Sequence, residues 1–147
     1  MAVTIRAARP EDADELFLLN RAFNGDGVND APSIERELVR ADRTEIVLVA
    51  QTGAALVGFC CGQLMRSMCY PAPAGQITEL YVAPESQRQG IGAALIRGME
   101  RAFEDAGALE WHLLTGEKNA GARALYERCG YLAHSEIYYR KEPGGHP

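Results

Sequence analysis

Apolar residues recur along the chain with two periods, and together they predict a set of strands and helices. Val3, Ile5 and Ala7 alternate with polar residues, as in a half-buried strand. Short apolar runs predict further strands at 45–51, 56–64, 77–82 and 110–114. Apolar residues at helical spacing predict helices after Pro10, Pro32, Gly90 and Asn119. This order predicts an α/β (α+β) fold, a mixed central sheet with helices on both faces.

Two more strands are predicted at the C-terminal end of the sheet, over 131–133 and 137–140. With them the order of elements is β, α, α, β, β, β, α, β, α, β, β, without an internal repeat. An exposed pair of strands at this end would also offer a surface for a homodimer.

Length and composition limit the classes of protein that need to be considered. The chain has 147 residues, of which 47% are hydrophobic, and this predicts a single domain spanning 1–147. Its apolar runs are too short for a membrane span, and its N-terminus lacks the pattern of a secretory signal. We therefore expect a cytoplasmic protein without a membrane partner.

Charge and cysteine usage argue against two further classes, nucleic-acid binders and metalloproteins. The net charge of −5 is unfavourable for a nucleic-acid groove. The four cysteines contain no Cys-x-x-Cys pair, and no histidine stands at zinc-ligand spacing from them. We expect reduced thiols, no bound metal and no nucleic-acid partner.

A glycine-bearing turn over 87–93 lies between a predicted strand and the longest predicted helix. The first turn of a helix has unpaired N–H groups and a partial positive charge, and Gly90 and Gly92 would let an anion approach the main chain. A phosphate or pyrophosphate is the expected ligand. The alternative is that these glycines only shape the turn.

A second pattern follows downstream, on the last predicted helix. Asn119, Ala122, Tyr126 and Cys129 stand on one stripe of this helix, and Gly130 closes it. Two such patterns in this order are harder to obtain by chance than either one alone.

Together these segments resemble the GCN5-related N-acetyltransferase (GNAT) superfamily, whose pyrophosphate loop reads Gln/Arg-x-x-Gly-x-Gly/Ala. Gln87, Gly90 and Gly92 stand at those positions, 78–84 is similar to the central strand of the family, and 119–131 to its second motif. The resemblance implies the acyl-CoA N-acyltransferase fold. It also implies an enzyme that uses acetyl-CoA as co-substrate and acetylates a primary amine by direct attack on the thioester. The acceptor would be a small-molecule amine, a polyamine, or a protein lysine or N-terminus.

The resemblance also assigns cofactor-binding residues. Main-chain N–H groups of one consecutive run would hold the pyrophosphate, with charge added by the second residue: Gln87, Arg88, Gln89, Gly90, Ile91, Gly92 and Ala93. Main-chain groups of Tyr81 and Val82 would pair with the pantetheine arm, and Asn119 would bind the amide portion of the cofactor. The central strand would also splay from its neighbour beside the thioester.

Two residues are assigned catalytic roles on the same basis. Tyr126 would protonate the departing thiolate, and the alternative is a packed tyrosine with a satisfied hydroxyl. Glu79 would remove a proton from the acceptor ammonium, and the alternative is an acid in a structural ion pair. His112 is a weaker candidate for the base.

The acceptor half gives less information. Asp26 and Asp30 would either meet a positively charged amine or only cap a turn. Tyr138 or Tyr139 would line the acceptor site. The segment 111–116 is similar to the branch that acetylates polyamines, thialysine or histone-tail lysines.

Two other functions compete with the enzyme. One is a non-catalytic acyl-CoA-binding sensor or regulatory module, against which the retention of Glu79 and Tyr126 argues mildly. The other is a dinucleotide oxidoreductase, which is set aside because Leu95 stands where the third glycine of its motif belongs.

Overall fold

A computed structural model of the chain describes residues 2–144. Its elements, in chain order, are β1 (Val3–Ala7), α1 (Ala13–Asn24), α2 (Ala31–Leu38), β2 (Glu45–Thr52), β3 (Ala55–Met65), β4 (Ala74–Val82), α3 (Ile91–Asp105), β5 (Trp111–Leu113) and α4 (Ala120–Arg128). Among the described residues, no helix combines the length and apolarity that a membrane span requires. The predicted strands and helices up to α4 are present within a few residues of their expected bounds.

The strands form one mixed sheet in the order β1-β2-β3-β4-β5. Neighbours are antiparallel from β1 to β4, whereas β5 runs parallel to β4. Because α3 connects β4 to β5, it is the crossover helix that a parallel pair needs. The mixed sheet expected from the apolar pattern is thus confirmed.

Helices cover both faces of the sheet, as predicted. The core under α3 includes the fully buried Leu95, Ile96, Met99 and Phe103. The core under α1 includes Leu16, Val49, Leu56 and Phe59. Phe103 depends on the glycines below it, since a Cβ atom would lie 2.6 Å from its ring at Gly75 and 2.8 Å at Gly62.

A β-bulge changes the direction of side chains within β4. Cys61 on β3 faces Glu79 and Gly62 faces Ile77, which leaves Thr78 as the extra residue. Ile77 therefore packs in the core under α3, whereas Glu79 lies on the same face as Tyr81, which packs in the core under α1. Without the extra residue, Glu79 would point into the core under α3.

The two C-terminal strands that were predicted are not formed. Within the described part of the chain, residues 131–140 contain no strand and 132–140 are exposed. Leu132, Ile137 and Tyr139 expose 81%, 74% and 86% of their surface. Alternation makes a segment compatible with a strand, but a strand also needs a neighbouring edge with which to pair its main chain. That prediction was wrong because the sequence pattern does not show whether an edge is available.

Candidate active site

The turn between β4 and α3 has an unusual main-chain shape. A 3₁₀ turn at Pro84–Ser86 is followed by Gln87 in an extended conformation. Arg88 and Gly90 then both have positive φ, at 64° and 78°, and α3 begins at Ile91. Left-handed residues in a turn direct successive N–H groups toward one concave side, where an anion can bind.

The amides of this turn are free to bind an anion. Gln87 N–H donates to the carbonyl oxygen of Pro84 at 3.3 Å and is therefore already used. Among residues 2–144, the amides from Arg88 to Ala93 donate no hydrogen bond. They stand at the N-terminus of α3, where the helix dipole also favours negative charge. Of the expected run 87–93, the amides of 88–93 are therefore available to an anion and that of Gln87 is not.

The two glycines of the motif serve different purposes. A Cβ atom at Gly90 would have no neighbour within 4 Å, so this residue is needed for its left-handed φ and leaves the turn open. At Gly92 a Cβ atom would lie 3.2 Å from the Leu125 side chain. Gly92 therefore allows α3 to pack closely against α4.

One edge of β4 is open beside this turn. Pairing with β5 covers only Gly75 to Ile77, so from Thr78 onward no strand of the described chain pairs with that edge. The splay implied by the family resemblance is present. It leaves main-chain groups of β4 available for an extended ligand.

The register decides which main-chain groups face that edge. Ala83 N–H donates to the Val57 carbonyl oxygen at 2.8 Å, so Ala83 and Val57 of β3 are a hydrogen-bonded pair. Because such pairs alternate along an antiparallel ladder, Tyr81 also directs its main chain toward β3. Leu80 and Val82 direct theirs to the open edge. Of the two residues expected to pair with the pantetheine arm, Val82 thus faces the open edge and Tyr81 does not, whereas Leu80 also faces it.

The second motif lies on α4, as expected. Asn119 is the N-cap of this helix, and its Oδ1 accepts a hydrogen bond from Ala122 N–H at 3.2 Å. Its side-chain nitrogen has no partner within residues 2–144 and can still donate to a ligand. Asn119 thus caps α4 through its oxygen and keeps its side-chain nitrogen unpaired within residues 2–144.

Tyr126 is half-buried against the core under α3, in edge-to-face contact with Tyr131 at 6.3 Å between ring centroids. Its hydroxyl makes no hydrogen bond within the described residues, whereas the Tyr131 hydroxyl donates to Glu100 Oε2 at 2.9 Å. Burial raises the pKa of Tyr126, so its hydroxyl keeps its proton at neutral pH. A protonated phenol without an internal partner is suited to donate to a ligand.

Glu79 lies on the opposite face of β4, beside two residues that sequence reasoning did not single out. Ligand atoms of Glu45, Cys61 and Glu79 all lie within 4.8 Å of one another. Burial raises the pKa of Glu45, and the charge of Glu79 adds to this effect. Glu45 was missed because only the register of β2 on β3 brings it close. The expectation that the protein binds no metal stays a prediction.

An aromatic cluster continues this face of the sheet. Phe23, at the end of α1, stacks on Tyr81 with ring centroids 5.1 Å apart, and Phe59 lies 6.0 Å from Tyr81. Phe23 remains 41% exposed. A ligand amine beside Glu79 would therefore find an aromatic surface next to it.

The other candidates described for the acceptor half are one helix cap and three exposed residues. Asp30 Oδ1 accepts from Ser33 N–H at 2.9 Å and so caps α2, which was the simpler of its two predicted roles. His112 is exposed on β5, opposite Gln76. Tyr138 and Tyr139 are exposed, and both stay untested as acceptor residues.

The geometry above is accompanied by a family match over most of the chain. The model of the acetyltransferase (GNAT) family matches residues 13–131. The chain belongs to the GNAT family. It is therefore an enzyme that transfers an acetyl group from acetyl-CoA to an amine, and nothing in the comparisons supports a non-catalytic sensor.

Relatives of this GNAT chain include enzymes with different acceptors. It is 26% identical to aminoglycoside N(6')-acetyltransferase type 1 of Stenotrophomonas maltophilia, over 97% of this chain and 94% of that protein. A ribosomal-protein-alanine N-acetyltransferase of Brucella melitensis biovar Abortus 2308 has a similar structure, with a TM-score of 0.81, 25% identity and coverage of 97% and 100%. AAC(6')-Iy, bound to the bisubstrate analog CoA-S-monomethyl-acetylneamine, gives a TM-score of 0.85 at 18% identity, with coverage of 97% and 99%.

Proposed function

We propose that this enzyme acetylates a small cationic primary amine and holds the diphosphate of acetyl-CoA on the free amides of Arg88 to Ala93. The observation that carries the proposal is the position of these amides directly after the open edge of β4. A ligand with a diphosphate and an extended arm matches both features. Charge on the exposed Arg88 side chain would add to the attraction.

The extended arm of the cofactor would lie along the open edge of β4. Val82 and Leu80 offer main-chain groups there, and the Asn119 side-chain nitrogen is free to donate. When bound, acetyl-CoA supplies the thioester that the acceptor attacks. One of the free β4 N–H groups would stabilise the oxyanion that develops in this step.

Tyr126 is proposed as the general acid that gives its hydroxyl proton to the leaving sulfur. Its raised pKa and the lack of an internal hydrogen-bond partner among residues 2–144 support this role. Tyr126 packs on the same side of β4 as Leu80 and Val82. Tyr126 and these two side chains therefore lie on the same face of the sheet, next to the open edge of β4.

Glu79 is proposed as the general base on the other side of β4. An acceptor that arrives as an ammonium ion with a pKa near 10 must lose a proton before it can attack, and the Glu79 carboxylate would accept that proton. Among the described residues, Glu79 forms no ion pair. Base and acid would thus act from opposite faces of one strand.

The acceptor is proposed to be a small molecule rather than a protein. Support comes from the relatives named as aminoglycoside acetyltransferases and from the two carboxylates beside an aromatic surface, which suit a compact cation. Glu45 also lines an open groove of about 340 Å³, whose other charged residues are Glu37, Asp42, Arg40 and Arg43.

The test is release of free thiol from acetyl-CoA over a panel of aminoglycosides, polyamines, amino acids and peptides. We expect turnover with at least one small polycation and much less with peptide N-termini. Turnover confined to peptides would overturn the choice of acceptor, and binding of acetyl-CoA without turnover on any amine would overturn the assigned catalytic roles.

We also propose that residues 1–147 act as one domain in the cytoplasm. Support for this compartment is that all four cysteines are free thiols. A homodimer is proposed from the exposed apolar side chains of 132–139 alone, since the strand pair that first suggested it is not formed. Analytical ultracentrifugation tests it.

A further inference from the structure

The position of Glu79 depends on the residue before it in the chain. Thr78 is the extra residue of the β4 bulge, and it is also the first residue beyond the pairing of β4 with β5. The bulge turns Glu79 to the face that carries Tyr81 and Phe23. One residue thus marks where β4 opens and directs its carboxylate to the acceptor side.

The hydroxyl of Thr78 also contacts the Glu79 carboxylate. Thr78 Oγ1 donates a hydrogen bond to Glu79 Oε2 and lies 3.3 Å from the carbonyl oxygen of Cys61. A hydroxyl has a single hydrogen, so it donates to one of these oxygens at a time, while its lone pairs accept. The charged carboxylate is the stronger of the two acceptors.

We propose that Thr78 is a positioning residue for the Glu79 base, with a hydroxyl that serves both protonation states of that carboxyl group. Before proton transfer, the hydroxyl donates to the carboxylate. After transfer, the new carboxyl O–H donates to Thr78 Oγ1, and the hydroxyl hydrogen turns to the carbonyl oxygen of Cys61. The inference rests on the proposed role of Glu79 in acetyl transfer.

The proton transfer itself is balanced without a further reactant. An N–H bond of the acceptor ammonium breaks, its electron pair stays on nitrogen, and an O–H bond forms on Glu79. Thr78 neither gains nor loses a proton in this step, because it only changes the partner of its hydrogen. Once the new O–H has rotated about its C–O bond toward Thr78, Glu79 has a hydrogen-bond partner on both sides of the reaction.

The test compares Thr78→Val, which keeps the branched shape, with Thr78→Ser, which keeps the hydroxyl. Thr78→Ala is a second variant without the hydroxyl, and Thr78→Val is also combined with Glu79→Gln. Steady-state kcat and KM are measured for acetyl-CoA and for the best amine of the panel. Crystal structures of the Val and Ser variants show where the Glu79 carboxylate lies without any acceptor.

We expect Thr78→Val and Thr78→Ala to lower kcat about tenfold, the effect of losing one hydrogen bond to a charged group. KM for acetyl-CoA should stay unchanged, and Thr78→Ser should recover most of the turnover. In the Glu79→Gln background, Thr78→Val should cost nothing more, because its effect passes through Glu79. In the crystal structures, the Glu79 side chain should be displaced in Thr78→Val and remain in place in Thr78→Ser.

Three results would overturn the inference. The first is wild-type kcat in Thr78→Val beside an impaired Glu79→Gln enzyme, which would leave the base assignment standing. The second is an equal loss from Thr78→Val with and without Glu79. The third is wild-type kcat in Glu79→Gln, which would remove the base assignment and this inference together.

Discussion

A hydrogen bond between Gln87 and Val82 ties the glycine-bearing turn to the end of β4. Gln87 Nε2 donates to the carbonyl oxygen of Val82 at 2.9 Å. The proposed diphosphate site and the proposed pantetheine edge are thereby held at a fixed distance. That link gives the Gln87 side chain a structural task, while its contact with the cofactor stays a prediction.

Removing this link should weaken cofactor binding without touching the cofactor. Gln87→Leu deletes the donor but keeps the size of the side chain, so the turn loses one fixed point. We expect the Kd for acetyl-CoA to rise about fivefold to tenfold, as measured by calorimetry. The matched control is Gln89→Leu, since the exposed Gln89 side chain has no hydrogen bond within residues 2–144. Equal Kd values for both variants would contradict the role given to Gln87.

Charge at Gly90 should interfere with the diphosphate directly. Gly90→Asp places a carboxylate beside the free amides, and Gly90→Asn is a neutral control of the same shape. Asp and Asn both tolerate a left-handed φ better than other side chains. We expect the Asp variant to bind acetyl-CoA at least about tenfold more weakly than the Asn variant, because like charges repel. The same affinity in both would count against an anion at this turn.

Tyr126→Phe should lower kcat while leaving the Kd for acetyl-CoA nearly unchanged. The ring keeps its packing, and only the proton donor is lost, which for general acid catalysis costs about 100-fold or more. Because burial raises the pKa of Tyr126, the wild-type enzyme should not lose this proton below about pH 10. A thiol-release assay across pH measures kcat and its pH dependence, and calorimetry measures the Kd for acetyl-CoA.

Tyr131→Phe is the control for that experiment. Its hydroxyl donates to Glu100, so its loss should reduce the free energy of unfolding by about 1 kcal/mol and leave kcat unaffected. If Tyr126→Phe also keeps wild-type kcat, Tyr126 is a packing residue.

Local patterns in the sequence were sufficient to predict the glycine-bearing turn and α3. Helical periodicity and glycines are read within one segment, and the structure places both where they were expected. The bulge at Thr78 and the proximity of Glu45 to Glu79 depend on strand register, which no single segment encodes. The direction of the Tyr81 main chain was missed for the same reason. The strands expected within 131–140 are not formed, because the availability of an edge for pairing is also a non-local property.

The ion pair between Arg6 and Asp12 should make stability depend on pH. The two terminal nitrogens of the guanidinium, Nη1 and Nη2, donate to the carboxylate at 2.8 and 2.9 Å, and this holds the pKa of Asp12 below its usual value. The contribution is fully present above the unfolded pKa of about 4 and is lost as pH falls through the lower folded value. We expect Asp12→Asn to reduce the free energy of unfolding by about 2 kcal/mol at pH 7.

The acid dependence of that variant provides the second half of the test. Below about pH 4, the wild type should lose stability more steeply than Asp12→Asn in urea titrations. Asp14→Asn, an exposed change in the first turn of α1, should follow the wild type. Parallel acid curves for wild type and Asp12→Asn would show that Asp12 does not carry the effect.

The most direct test of the whole account is a crystal structure of the enzyme with coenzyme A. The account predicts diphosphate oxygens within about 3 Å of main-chain nitrogens in the run from Arg88 to Ala93. It also predicts that the pantetheine arm lies along the open edge of β4 and forms a hydrogen bond with Val82. A diphosphate bound away from this turn, with these amides left unpaired, would contradict it.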